Sequence, residues 1–304
     1  VNTAGSVLDP GGVAVSGPTA GGTAGAGNGA LQVVWSPYLN SDQGIVSAWI
    51  NASNQAGPNR DLPLGAPRQV RPDLASNGSG YLAAYLSSTG TGHRVLAQAL
   101  DAAGNPLTSE PVELASGDLS SGPGAPAVAW NGSVYLVAWG GSSGIQAQRL
   151  NPDGSKLDPA PFQVIAAAYG PPDLEAIGDT FLVLGRKCGY SCQYIDLYAA
   201  RVSGANGSVI DSTPLYLAGG YISRPAAISV LGGRWLVVYH SNWSHDESNA
   251  DTGALFVSPD GTMSAIGGLY NFSTAGGNGF FRIGLASSGT VAMMVQSAEI
   301  SSGV

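Results

Sequence analysis

The stretch Pro126-Ala127-Val128-Ala129-Trp130-Asn131-Gly132-Ser133-Val134-Tyr135-Leu136-Val137-Ala138-Trp139 decides the fold of this chain. It continues through Gly140-Gly141-Ser142-Ser143-Gly144 and Ile145-Gln146-Ala147-Gln148-Arg149-Leu150-Asn151-Pro152-Asp153-Gly154-Ser155-Lys156-Leu157, and closes with Pro161-Phe162-Gln163-Val164-Ile165-Ala166. Short apolar runs, most of them rich in β-branched or aromatic residues, alternate with turn residues. Asn131-Gly132 tolerates φ > 0 at both central positions of a type I′ hairpin. Asp153-Gly154 does the same in the third connection. The expected unit is a four-stranded antiparallel meander.

The phrase recurs with a period of roughly 50 residues, the mark of a repeat array. Its second strand has copies at Leu31–Trp35, Tyr81–Tyr85, Tyr135–Trp139, Phe181–Gly185, Trp235–Tyr239 and Val291–Val295. A turn glycine between strands three and four recurs as Gly5, Gly57, Gly104, Gly154, Gly207 and Gly261. Pro72, Pro126, Pro172 and Pro225 precede innermost strands, where a missing N–H breaks no ladder. Phe280-Phe281-Arg282-Ile283 takes that place in the last copy, and the Gly- and Ala-rich Thr19–Gly29 in the first.

Val1–Asp9 aligns with Val202–Asp211, so the chain enters late in a third strand and supplies a fourth. The C-terminal segment supplies the first two strands of the same blade. Joining the ends leaves no open edge at the seam. The expected fold is therefore all-β: one six-bladed β-propeller of four-stranded antiparallel blades, closed by the N-terminal strand. The blades fall near 17–66, 67–117, 118–168, 169–219, 220–273, and 274–304 plus 1–16. The composite blade is short of third-strand sequence. It is thin, or cut from a longer parent, or completed by a strand from a neighbouring chain.

The 304 residues include 45 Gly and 19 Pro, with 11% charged, which is turn punctuation too dense for a helical protein. No apolar run approaches the ~20 residues of a membrane span, and no signal peptide is present; Val1 opens in mid-phrase, as in a processed or trimmed chain. A net charge of −8 with only Lys156 and Lys187 as lysines argues against nucleic acid and anionic membrane. Cys188 and Cys192 read either as two reduced small residues or as a small disulfide ring pinning a loop in an oxidising compartment. Loop closure that short contributes roughly 2 kcal/mol at most.

Loops between strands two and three are long in blade one (36–44), blade four (186–194) and blade five (240–253). The last holds His240, Trp243, His245, Asp246, Glu247 and Asp251. It reads as a sugar platform with Trp243 stacking, as an oxygen-ligand Ca²⁺ site without EF-hand spacing, or as a solvated insertion. Tyr38, Asn40 and Asp42, with Tyr190, extend the same candidate surface. At the expected channel mouth lie Arg71 and Asp73 of blade two, Asp173 of blade four and Arg224 of blade five. They read either as a carboxylate pair for acid–base work or as Arg–Asp structural pairs. His93 sits in a loop with no partner carboxylate, so no catalytic triad is placed. Of the sequons at Asn51, Asn77, Asn131, Asn206, Asn242 and Asn271, only Asn242 and Asn271 lack a structural reason for the asparagine.

The pattern P-x-V-A…N-G…Y-L-V-A-W…I-x-A-x-R-L…D-G resembles a propeller repeat of secreted and surface-anchored bacterial proteins, most clearly over residues 70–240. The resemblance implies the fold and an extracellular or cell-surface location, and no single activity. Trp-Asp repeats, a complete sialidase-type Asp-box and kelch glycine pairs are absent. The leading expectation is a secreted, non-catalytic binding or adhesion propeller, taking carbohydrate or a protein on its long-loop face. The alternatives are a carbohydrate-active hydrolase or lyase using the channel-mouth carboxylates, and a filament subunit assembling through the incomplete blade.

Overall fold

The computed structural model describes residues 21–27, 31–36, 44–51, 53, 55–62, 69–88, 91–118, 124–188, 195–220, 222, 226–241, 251–266, 282–287, 289–290 and 292–297. Every element among them is a strand, and the strands form consecutive antiparallel meanders. Sheet one contains β1 (Gly21–Gly27), β2 (Leu31–Ser36), β3 (Val46–Ile50) and β4 (Arg60–Asp61). Sheet two contains β5 (Gln69–Ser76), β6 (Gly80–Ser88), β7 (Gly92–Asp101) and β8 (Val112–Asp118). Sheet three contains β9 (Pro126–Trp130), β10 (Tyr135–Gly141), β11 (Gly144–Leu150) and β12 (Phe162–Ala166). Sheet four contains β13 (Ala168–Ile177), β14 (Thr180–Cys188), β15 (Ile195–Ser203) and β16 (Leu215–Ala218). Sheet five contains β17 (Ala227–Leu231), β18 (Arg234–Ser241), β19 (Asp251–Val257) and β20 (Met263–Ala265). Two further strands, β21 (Arg282–Ser287) and β22 (Ala292–Ser297), pair with each other.

The chain separates into two compact units, Val1–Ser142 with Ala147–Phe162, and Ser143–Gln146 with Gln163–Val304. The described part of the first is built on sheets one and two with β9 and β10, and that of the second on sheets four and five with the β21–β22 pair. Residues 1–20 and 298–304, on which closure of a sixth blade by the N-terminus rests, lie outside the described residues.

Second strands read as unbroken apolar runs because both of their faces are covered. Within the first unit, Leu82, Ala84 and Leu86 of β6 cluster with Tyr135, Val137 and Trp139 of β10. The opposite face of β6, Tyr81, Ala83 and Tyr85, packs with Val34 and Ile45. The second unit repeats the scheme: Leu182 and Leu184 of β14 meet Trp235 and Val237 of β18, while Leu236 and Val238 meet Leu285 and Ala292. Burying one such leucine contributes about 1.5–3 kcal/mol, and the period of two sends alternate residues to alternate neighbours.

The turns differ from a two-residue I′ hairpin. Trp130 pairs with Tyr135, so the loop is Asn131–Val134, and only Gly132 among its residues has positive φ, at 99°. Asn131 instead accepts the backbone N–H groups of Ser133 and Val134 on its side-chain oxygen, at 2.9 and 2.8 Å. That is an Asx turn, which spares Asn the left-handed region. Asp153 likewise accepts from Ser155 while Gly154 alone takes φ = 84°. Asn51 and Asn77 accept backbone N–H groups in the same manner.

Turn glycines carry a second duty. Arg201 of β15 forms a forked ion pair with Asp211, the closest contact being 2.6 Å, and donates from Nη1 to the Pro259 carbonyl at 2.7 Å in the next sheet's turn. A Cβ on Gly261 would stand 2.9 Å from that guanidinium. Arg60 reaches the corresponding turn of sheet two, donating to Asn105 Oδ1 at 3.1 Å and to the Ala103 carbonyl, over Gly104. Arg149 and Asp158 repeat the forked pair in sheet three, both buried. Where Gly154 is approached, the neighbour is the small Ala99.

Candidate active-site strands

Eight of the singled-out residues, Tyr38, Asp42, Tyr190, Cys192, Arg224, Trp243, His245 and Asp246, lie outside the described residues, as does Asn40. Cys188 ends β14 and is disulfide-bonded rather than a free thiol.

Asp73 is the best-defined chemical group on an innermost strand. Pro72 precedes it inside β5 rather than before the strand, in a bulge between the pairs Val70–Leu86 and Asp73–Ala84. The bulge leaves Arg71 and Pro72 out of the ladder, so the proline again costs no hydrogen bond. Pro172 sits in the matching bulge of β13, whereas Pro126 does begin its strand. Arg71 is exposed and adopts φ = 52°, a left-handed conformation unusual for a side-chain-bearing residue.

The Asp73 carboxylate accepts the Val128 N–H of the next sheet at Oδ2, 2.7 Å away. It also takes the Leu74 backbone N–H, so an Arg71–Asp73 structural pair gives way to amide donors. Burial pushes the carboxyl up from 3.8 to about 6, outweighing those two amides, which pull it down. Some surface of the residue still reaches solvent. A carboxyl in this condition holds and releases a proton near neutral pH.

Asp173 occupies the matching place in the second unit. Its Oδ2 accepts the Ile228 N–H at 3.2 Å and its Oδ1 the Leu174 N–H at 2.9 Å. Both aspartates thus tie an innermost strand to the one 55 residues ahead. Above Asp173, Gly170 takes φ = 76° against the Arg186 guanidinium, and a side chain there would collide with Nη2. Arg186 is buried, 5.5 Å from the Tyr169 ring centroid, and burial pulls its pKa below the ordinary arginine value.

Two histidines stand elsewhere than expected. His240 belongs to β18, paired with Thr252, and is 5% exposed with Nδ1 3.2 Å from Thr252 Oγ1. Strand pairing runs on to Ser241–Asp251 and takes in both ends of the stretch read as loop. His93 lies in β7, paired with Ser88 and Gly117, with Nδ1 buried and unbonded. Among the described residues, no group of three or more His, Cys, Asp or Glu side chains is arranged to hold a metal.

Comparison with known proteins fits this arrangement of sheets. No family model and no curated protein matches the sequence. Among solved structures, the GH43_1 enzyme from Xanthomonas citri complexed with xylotriose is similar over 86% of this chain and 94% of its own, with 11% identity and a TM-score of 0.50. The fold is that of a β-propeller. An exo-1,5-α-L-arabinanase from a bovine ruminal metagenomic library matches over 85% of this chain and 100% of its own, with 12% identity and a TM-score of 0.48. A GH43 endo-arabinanase from Bacillus licheniformis matches over 83% and 99%, with 13% identity and a TM-score of 0.47.

The expectation of a non-catalytic binding or adhesion propeller is corrected by the Xanthomonas citri neighbour, an enzyme complexed with xylotriose. The carbohydrate-active alternative is therefore the one taken up below. Composition and loop lengths carry no information on the environment of a single carboxyl.

Proposed function

We propose that this chain is a carbohydrate-active hydrolase in which Asp73 is the proton donor to the glycosidic oxygen. The observation that carries the reading is Asp73 itself: an innermost-strand carboxyl raised to about 6 by burial, with an exposed, strained arginine two residues before it. A general acid works best with its pKa near the operating pH. In glycoside hydrolysis the acid of the carboxylate pair is the one whose pKa is raised. Arg71 then meets the hydroxyls of the sugar beside the scissile bond. Such a reaction also needs a second carboxylate. The xylotriose bound by the Xanthomonas citri enzyme makes xylo-oligosaccharides the first substrates to try.

The experiment is turnover of xylotriose and longer xylo-oligosaccharides by the wild type and Asp73→Asn. Loss of roughly 10²–10⁴-fold in kcat is expected for Asp73→Asn, the usual worth of general acid catalysis. Wild-type turnover in Asp73→Asn would remove Asp73 from the reaction. The Val128 tie favours a second reading, in which Asp73 only fastens adjacent strands; that role predicts lost stability with kcat unchanged.

The finer architecture belongs to the same proposal: six blades, with the N-terminal segment completing the blade begun by β21 and β22. A Cys188–Cys192 ring and a location outside the cytoplasm go with it. Cross-linking of cysteines introduced at Val7 and Val295 tests the closure, and no cross-link in the folded monomer counts against it.

A further inference from the structure

The outer edge of sheet four shares its bulge with sheet two but not the side chain beside it. Its edge strand pairs with β15 through Leu197–Ala218 and Tyr198–Tyr216, with a bulge at Leu217, as β8 pairs with β7 around Leu114. Bulges re-aim neighbouring side chains, and here Leu217 is buried while Tyr216 is 52% exposed. The place of Tyr216 is taken by Glu113 in β8 and Gln163 in β12, both exposed. A polar residue suits an exposed edge, and the half-exposed tyrosine of sheet four departs from that pattern.

The ring is also held. Tyr216 meets Tyr198 edge-on with centroids 5.5 Å apart, and Lys187 Nζ lies 5.0 Å from the Tyr198 centroid. Lys187 and Asp196 are directly opposite across β14 and β15. Asp196 accepts a long 3.4 Å contact from the Gly220 N–H. Gly219 leaves the Tyr216 hydroxyl room: a Cβ there would strike it, and would lie 3.2 Å from Asp196 Oδ1. The result is an exposed aromatic ring beside a second tyrosine, with the Lys187 ammonium and the Asp196 carboxylate in the same cluster.

We propose that Tyr216, Tyr198, Lys187 and Asp196 form a surface site for a neutral polysaccharide, separate from the Asp73 strand. A sugar ring stacks its C–H face on Tyr216, Lys187 donates to its hydroxyls and Asp196 accepts from them. Aromatic faces flanked by polar tips suit such amphipathic ligands, and the paired charges leave no net field to favour an anion. The choice of sugar rests on the hydrolase reading; the site itself does not.

Native electrophoresis in gels containing soluble arabinoxylan tests it, with dextran gels as control. The wild type is expected to be retarded by arabinoxylan. Tyr216→Gln, which installs the residue sheet three carries at this place, loses about ten-fold in affinity, the scale of one aromatic contact. Lys187→Met weakens retardation as well, and xylotriose turnover is unchanged in both variants. An unretarded wild type, or Tyr216→Gln retarded like the wild type, overturns the site. Asp73→Asn separates the two proposals: it keeps full retardation here while its turnover reports on the hydrolase reading.

Discussion

Replacing Asp73 by asparagine removes one titrating group while keeping an acceptor for the Val128 N–H. The native carboxyl is raised from 3.8 to about 6, and each pKa unit is worth about 1.4 kcal/mol. Ionising it in the folded state therefore costs roughly 2–3 kcal/mol, the lower figure allowing for the surface the residue keeps. Between about pH 4 and pH 6 the native protein holds a proton that the unfolded chain has lost. Its contribution to stability is thus fully present below pH 4, falls as pH rises to about 6, and is constant above. Asp101, Asp153 and Asp260 have lowered pKa values and act in the opposite sense, so the informative quantity is the difference between wild type and variant. Urea denaturation followed by tryptophan fluorescence from pH 4 to 7.5 measures it. Asp73→Asn should gain on the wild type by about 2–3 kcal/mol across that range. Parallel stability curves would show that Asp73 is not the buried acid described. The same titration in turnover places the loss of wild-type activity on the alkaline side of about pH 6.

Three further outcomes follow from the packing. Arg149→Met strands the buried Asp158 carboxylate and should cost about 3–5 kcal/mol in chemical denaturation, whereas Arg149→Met with Asp158→Leu should recover most of it. Gly261→Ala places a methyl group against Arg201 at φ = 89° and should lower stability by at least 1 kcal/mol, on the order of the strain of a left-handed residue. Thiol labelling of the folded chain should leave Cys188 unmodified until reductant is added, with reduction lowering stability by no more than roughly 2 kcal/mol.

The second strands were legible because burial on both faces writes itself as an uninterrupted apolar run, as in Tyr135–Trp139. The hairpin positions were legible too, but not their geometry. Asn131 marks its turn whether it adopts positive φ or accepts amide hydrogens, and composition does not separate the two. His240 and His93 were read as loop residues because polarity resembles exposure; strand pairing two residues deeper overrides it. The Asp73 tie was out of reach, since its partner is a backbone N–H 55 residues away and any residue type supplies one. Tyr216 was within reach, through alignment of its place with Glu113 and Gln163, but an isolated surface tyrosine gives no signal until the repeats are superposed.

The arginine that crosses into the following turn has a consequence for how such a chain grows. In sheets one and two, and again in four and five, the reaching side chain and the small residue that admits it belong to successive copies of one phrase. Sheets one and four thus carry the plug and sheets two and five the socket, whereas the Gly154 turn of sheet three meets the small Ala99 instead. Duplicating such a pair of copies together preserves a junction that already fits, while a cut between them leaves a plug without its socket.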